Sequence, residues 1–403
     1  MRILFVAMAN SVHTARWINQ IADQGWDIHL FPVGDASIHP ELRNLTIHNF
    51  LCQKPSGLNQ SVRVIGSWPF PRGAGLARRI VKRFAPWWLD CWGLVRTIRR
   101  LNPDIVHSLE MQHAGYLTLA ARERLGGRFP TWIVSIWGSD IYLFSRLPEH
   151  VEKIKAVLSD CDYFACECQR DVEPARAFGF KGEVLPVLPA SSGFDIERMH
   201  QFRQPGPTSA RRLIVLKGYQ GWAGRALVGL RAIELSADVL KGYRVAIYLA
   251  GEDVKIAAAL VSHATAIPIE IVPYSSHEEM LRLHGRARVS IGLSISDGAS
   301  TSMLEAMEMG SFPIQSHTSC ADEWVRCGET GLLVHPEDPE GVAAAIRRAV
   351  SDDALVDYAA AQNARIVAER LDYSVIQPQV IAIYKQVAAQ IAMREGRKSG
   401  FIL

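Results

Sequence analysis

Between positions 295 and 310 the chain reads ISDGASTSMLEAMEMG, and its two carboxylates, Asp297 and Glu305, stand either side of a run of Gly, Ala, Ser and Thr. Small residues let a backbone approach a ligand closely. Unpaired N–H groups at the start of a helix attract phosphate, worth about 0.3 to 1 kcal/mol at an exposed site and more where water is excluded. The stretch therefore suits a diphosphate held by main-chain amides. A second reading is local: Ser302-Met-Leu-Glu305 has capping-box spacing, so Glu305 could cap its own helix, and Asp297 beside Gly298 could be an ordinary turn residue.

The element that must position this loop is VSIGLSIS, an apolar run of strand character that leads straight into DGASTS. Open α/β sheets bind ligands outside the carboxyl ends of their strands. Similar runs recur along the chain: ILFVAMA, DIHLFPV, DIVHSL and TWIVSIW in the first half, then RRLIVLKG, VAIYLAG, IEIVPY, SFPIQS and GLLVHP. Helical patterns such as HTARWINQIADQG separate them, which predicts parallel strands with crossover helices in two doubly wound α/β domains. Pro, Ser and Gly thicken around LPASSGFDIERMHQFRQPGPTSARR, so the boundary is expected at about residue 195 to 210. We read 1–200 as the first domain, 205–375 as the second, and 376–403 as a closing amphipathic helix.

Length and composition agree with this division. The 403 residues exceed what one core usually holds, and 48% hydrophobic with 21% charged residues is a globular balance. A net charge of +3 is too small to argue for nucleic acid. Seven cysteines without a paired C-x-x-C spacing give no zinc signature and fit a reducing, cytoplasmic compartment. The start, MRILFVAMANS, reads as a buried first strand rather than a signal peptide, and no apolar run approaches the roughly 20 residues that span a bilayer.

One segment, 72–100, stands apart. Arg72, Arg78, Arg79, Lys82, Arg83, Arg96, Arg99 and Arg100 interleave with Phe84, Trp87, Trp88 and Trp92, against a single Asp90. Such a segment suits an anionic membrane surface, where rings sit at headgroup level and each cation adds about 1 kcal/mol. The alternative is a solvated basic helix with its tryptophans in the core.

Taken together, these strings resemble the retaining glycosyltransferases of family 4, whose hallmark is a carboxylate, seven residues, a glutamate, Ala-Met and a Gly-x-Pro. Asp297 to Glu305, Ala306-Met307 and Gly310-Ser-Phe-Pro313 match that pattern. Leu249-Ala-Gly251, Ser276-His-Glu-Glu-Met-Leu281, Glu323-Trp-Val, Gly328-Glu-Thr-Gly-Leu-Leu-Val334 and Pro336-Glu-Asp338 extend it. In the first half Pro103-Asp-Ile-Val-His107, Gly138-Ser-Asp140 and Pro189-Ala-Ser-Ser-Gly-Phe-Asp195 fall where the family has similar strings.

The resemblance implies a GT-B fold, two Rossmann-like domains facing a central cleft with the C-terminal helix crossing back to the N-terminal domain. It implies that Asp297 and Gly298, Ala299, Ser300 and Thr301 face the transferred sugar, that Glu305 accepts hydrogen bonds from the ribose, and that Lys217, Gly218 and Arg225 lie by the leaving diphosphate. On the acceptor side, Trp137 stands where the family commonly has His, so His13, His107 or His113 is the candidate imidazole and Asp140 the candidate acid near the acceptor. Asp297 is one methylene shorter than the usual Glu, and Ala9-Asn-Ser-Val-His-Thr-Ala-Arg16 replaces a glycine-rich first loop.

The expectation is a metal-independent, retaining transfer from a UDP- or GDP-linked sugar to a glycan or lipid-linked acceptor in cell-surface polysaccharide or lipopolysaccharide assembly. No cofactor beyond the donor is implied. The expected location is cytoplasmic, peripheral on the inner face of the plasma membrane if 72–100 binds lipid. The donor base and sugar, the acceptor linkage and the oligomeric state are not legible. Two other classes compete: a GT-B relative that lost catalysis and serves as a partner or nucleotide-sugar-binding subunit, and a periplasmic-type binding protein, which would want a signal peptide and would not need this carboxylate spacing.

Overall fold

The computed structural model describes residues 1–34, 37–49, 57–66, 86–127, 129–190 and 192–399. Its contacts divide into two units, Met1–Ser192 with Ile376–Leu403, and Gly193–Val375.

In the first unit, strands β1 (Arg2–Ala7), β2 (Asp27–Pro32), β3 (Thr46–Asn49), β4 (Arg63–Gly66), β5 (Ile105–Leu109), β6 (Thr131–Ser135), β7 (Tyr163–Ala165) and β8 (Glu183–Val184) form one sheet in the order β4-β3-β2-β1-β5-β6-β7-β8. The pairings of β1 are parallel on both sides, with Ile3 opposite Ile28 and Ile105. Parallel sheets are covered on both faces, and accordingly Ile3, Leu4, Phe5 and Val6 are all completely buried. Helices α1 (Val12–Asn19), α2 (Pro86–Leu101), α3 (Tyr116–Leu125) and α4 (Pro148–Asp160) are among the covering elements. Ser11 starts α1 by accepting a hydrogen bond from the His13 amide, and Pro148 starts α4 at a position that lacks an intrahelical partner anyway.

In the second unit, β9 (Leu213–Lys217), β10 (Arg244–Tyr248), β11 (Ile269–Ile271), β12 (Val289–Gly292), β13 (Phe312–Ser316) and β14 (Leu332–Val334) lie in the order β11-β10-β9-β12-β13-β14, again parallel. The helices are α5 (Ala226–Leu235), α6 (Glu252–Thr265), α7 (His277–Arg286), α8 (Thr301–Glu308), α9 (Pro339–Ser351) and α10 (Asp353–Leu371). Strand alternation sorts the core: Ile214, Leu216, Val245 and Ile247 pack with Leu230 and Ile346, while Val215, Ala246 and Tyr248 turn the other way onto Leu283 of α7 and Ala287 just after it. A reciprocal capping box between Ser276 and Glu279 fixes where α7 begins.

The second unit begins at Gly193, earlier than the boundary expected from composition. The Phe194 amide donates to the Leu371 carbonyl at 2.6 Å and the Phe194 carbonyl accepts from the Tyr373 amide at 2.8 Å. The helical turn Ile196–His200 brings His200 Nε2 to 2.7 Å from Glu308 Oε1, and Glu308 is fully buried at the end of α8. Burial pushes that carboxyl up to about 7.

The last helix, α11 (Tyr373–Ser399), belongs from Ile376 onward with the first unit. Its anchor is Tyr384, completely buried, whose hydroxyl accepts from Trp17 Nε1 at 2.8 Å and lies 2.8 Å from His107 Nδ1. Removing that hydroxyl leaves two buried polar groups without partners, which costs about 1 to 3 kcal/mol. Tyr384→Phe should therefore lower the thermal unfolding temperature while leaving the far-ultraviolet dichroism of the folded protein unchanged.

Candidate functional site

Each sheet has one place where the chain, having laid strands outward on one side, returns to the other. In the second unit this is the pair β9 and β12, and the loops leaving their carboxyl ends diverge there. Lys217 is the last residue of β9, and residues 293–300 form the loop after β12. The structure thus brings Lys217 and Asp297 together, with Nζ 3.8 Å from Oδ2, both partly exposed. The other carboxylate oxygen of Asp297 accepts from the Gly298 amide at 3.0 Å. A cation 3.8 Å from a carboxylate, rather than in a tight hydrogen bond, keeps donors available for an incoming anion.

Gly218, next to Lys217, has no room for a side chain. A Cβ there would stand 2.7 Å from the Tyr248 carbonyl and 2.6 Å from Ile247 Cγ2, because its amide donates to that same carbonyl at 2.7 Å.

Ser300 precedes α8 but makes no side-chain cap, its hydroxyl turning instead to Ser302 at 3.2 Å. The Met303 and Leu304 amides donate to the Ser300 carbonyl. Among the described residues, the amides of Ala299, Ser300, Thr301 and Ser302 have no partner. An uncapped helix start beside a lysine is an arrangement for holding an anion. Glu305 does not reach back to cap α8. It is buried, and Oε1 lies 2.7 Å from Nε2 of His277, the first residue of α7.

Arg225 sits beside the same loop, its amide donating to the Leu293 carbonyl, but its charge is partly spent. Nε donates to Glu337 at 3.0 Å, and Nη1 to the Gly224 and Gly221 carbonyls at 2.9 and 3.4 Å. Of the two expected cations, Lys217 is therefore the one with its full charge turned to the loop.

In the first unit the strand order reverses between β1 and β5. His13, in the first turn of α1, packs its ring 5.6 Å from that of Trp137. After β5, Glu110 opens a π-helical turn, Met111–Gly115, and His113 within it places Nδ1 3.1 Å from Glu110 Oε1. Glu110 and the hydrogen bond from His277 were not legible in the sequence, since neither residue type nor spacing marks them.

Two expectations are corrected. His107 does not face a ligand: it is completely buried in β5, with Nδ1 at Tyr384 and Nε2 2.7 Å from Ser135 Oγ, and burial holds its ring well below the usual histidine range, at about 3. Asp140 is not placed for catalysis either. It is buried, Oδ1 accepts from the Met111 amide and Oδ2 from the Trp137 amide, both at 2.7 Å, so it pins two loops rather than touching a substrate. Burial, reinforced by Glu110, pushes its carboxyl up to about 7.

Of the basic aromatic segment 72–100, residues 72–85 lie outside the described residues. The rest is α2, which buries Cys91, Leu94, Val95 and Ile98 and leaves Trp87 and Trp88 48% and 49% exposed. Those two tryptophans are not core residues. No described helix is long and apolar enough to cross a membrane.

Two family models match the chain: Glycosyl transferase 4-like over residues 2–66 and 74–167, and Glycosyl transferases group 1 over residues 232–366. No curated protein matches it. Among solved structures, sucrose-phosphate synthase from Thermosynechococcus elongatus is similar with a TM-score of 0.68 at 15% identity, covering 97% of this chain and 100% of that one. HepE from Anabaena, in complex with UDP and glucose, gives 0.64 at 14% identity over 97% and 99%. An α,α-trehalose-phosphate synthase from Burkholderia xenovorans, in complex with glucose-6-phosphate, gives 0.67 at 12% identity over 96% and 100%. Matched to a glycosyltransferase model in each half, the chain has the GT-B fold and resembles the family 4, group 1 glycosyltransferases.

Proposed function

We propose that this glycosyltransferase moves a sugar, with retention of configuration and without a metal ion, from a UDP- or GDP-linked donor to a glycan or lipid-linked acceptor. The observation that carries this reading is the meeting of Lys217, Asp297, the uncapped start of α8 and Glu305 at one end of one sheet. A lysine and four unpaired amides complement a diphosphate. Carboxylates at either end complement hydroxyls, Asp297 those of the sugar and Glu305 those of the ribose, through charge-assisted hydrogen bonds. The UDP and glucose held by HepE favour the uridine donor.

In the reaction the bond from the anomeric carbon to the diphosphate oxygen breaks, and its electron pair leaves with the diphosphate. A new bond forms from that carbon to an acceptor hydroxyl, whose proton passes to the departing diphosphate on the same face. Lys217, with the remaining donor of Arg225, stabilises the growing charge, and such preorganised donors are worth several kcal/mol where water is excluded.

Donor binding is read by thermal shift with UDP-, GDP-, ADP- and TDP-sugars. A ligand at 100 times its dissociation constant adds about 2.7 kcal/mol, so one base should stand out, and Glu305→Gln should weaken it by about tenfold or more. No shift with any of the four sinks the donor site.

Lys217→Met should lower kcat by about 100- to 1000-fold with a smaller change in donor KM. Proton NMR of the product anomeric centre decides between retention and inversion.

A lipid-linked acceptor, and with it a place in cell-surface polysaccharide or lipopolysaccharide assembly, is supported by the exposed Trp87 and Trp88 on the basic helix α2. Sedimentation with anionic liposomes should exceed that with neutral ones and should fall in the Trp87→Ser/Trp88→Ser double variant. Equal sedimentation with both would remove this part of the reading.

A further inference from the structure

Glu110 occupies a backbone conformation that costs energy to hold. Its φ of 83° and ψ of 146° lie close to a region populated almost only by glycine, at about 1 to 3 kcal/mol for any other residue. Its amide donates to the Ser135 carbonyl and its carbonyl accepts from the Gly115 amide, both at 3.0 Å, so the surroundings hold it there. Glycine at this position would relieve the strain and keep both bonds. What glutamate supplies instead is a carboxylate turned back over its own π-helical turn. It accepts from the His113 amide at 2.9 and 3.0 Å, from the Ala114 amide at 3.3 Å and from His113 Nδ1 at 3.1 Å. π-Helical turns and strained residues both concentrate at functional sites.

The outcome of that strain is one oriented imidazole. With Nδ1 committed to Glu110, Nε2 of His113 has no partner among the described residues, and the side chain is 63% exposed. It stands just past the carboxyl end of β5, where the strand order of this unit reverses. The charged groups that face it are Glu110 and, behind it, Asp140, while on neighbouring elements His13 lies against Trp137 and His150 is hydrogen-bonded to Tyr116. The Glu110 carboxylate behind the imidazole disfavours an anionic ligand and suits an uncharged hydroxyl.

We propose that Glu110 and His113 form an acceptor site, in which Glu110 fixes the tautomer and His113 Nε2 accepts a hydrogen bond from a hydroxyl of the acceptor sugar. Glu110 is a positioning residue acting through His113. The inference rests on the reading of the protein as a glycosyltransferase. Glu110 raises the pKa of His113 above the usual histidine value, so its removal lowers the pH at which the imidazole loses its charge.

The test follows the imidazole signal of His113 by NMR in the full chain, assigned by its loss in His113→Asn. The probes are p-nitrophenyl glycosides, as uncharged sugar hydroxyls, and glucose 6-phosphate and inorganic phosphate, as anions. The expected results are a displaced His113 signal with at least one glycoside but not with phosphate, and a lower titration midpoint in Glu110→Gln. Acceptor KM in transfer assays should rise about tenfold or more in His113→Asn, with the nucleotide-sugar thermal shift unchanged. Should Glu110→Gln fail to fold, His113→Asn carries the test alone. A His113 signal unmoved by every glycoside, or moved equally by phosphate, overturns the proposal. If donor sugars also fail to bind, the glycosyltransferase reading falls first. If they bind and His113 stays silent, only this inference falls.

Discussion

In each sheet the chain lays strands outward on one side of a central strand and then returns to its other side, and right-handed crossovers leave a gap between the loops at the carboxyl ends of the two central strands. That constraint decides where chemistry can occur. β9 and β12 deliver Lys217 and Asp297 to the gap in the second unit, and β1 and β5 deliver His13 and the Glu110 turn in the first. Had the strands continued outward in one direction, each of these residues would end on a separate loop with a strand between them.

The two gaps differ in electrostatic character. The one in the second unit combines a lysine with amides that have no partner among the described residues, and its carboxylates stand at the two ends of that row. The one in the first unit has two buried acids, Glu110 and Asp140, beside the exposed imidazole of His113. This difference is the one the proposed reading calls for, in which one partner carries a diphosphate and the other does not. Each is held by its own sheet, since the residues that set it come from adjacent strands.

What the sequence disclosed follows from how local each feature is. Long apolar runs such as ILFVAMA and RRLIVLKG announced β1 and β9. Thr46–Asn49 and Arg63–Gly66 did not announce β3 and β4, because four residues with polar members carry too little pattern, and Tyr163–Ala165 is only three residues long. The site behaved alike. Asp297 and Glu305 are neighbours along a loop and helix, so spacing sufficed. His277 meets Glu305 across 28 residues, and the partner of His107 is 277 residues away in the last helix, so only folding shows that one of these histidines joins the site and the other is filler in a core. The strain at Glu110 arises from tertiary packing and has no signature in residue type.

The missing side chain at Gly218 has a consequence for protein engineering. Because a Cβ at 218 would strike the Tyr248 carbonyl, the main chain just after Lys217 is held against the end of β10, and any side chain at 218 would have to displace one of the two strands. Substitutions at 217 or 297 change the charge and the reach of the two side chains, since the 3.8 Å between them separates side-chain atoms, whereas a substitution at 218 acts on the main chain that carries Lys217. Redesign of what this protein accepts can therefore begin at the side chains of 217 and 297, while glycine at 218 is the fixed point that keeps the end of β9 against β10.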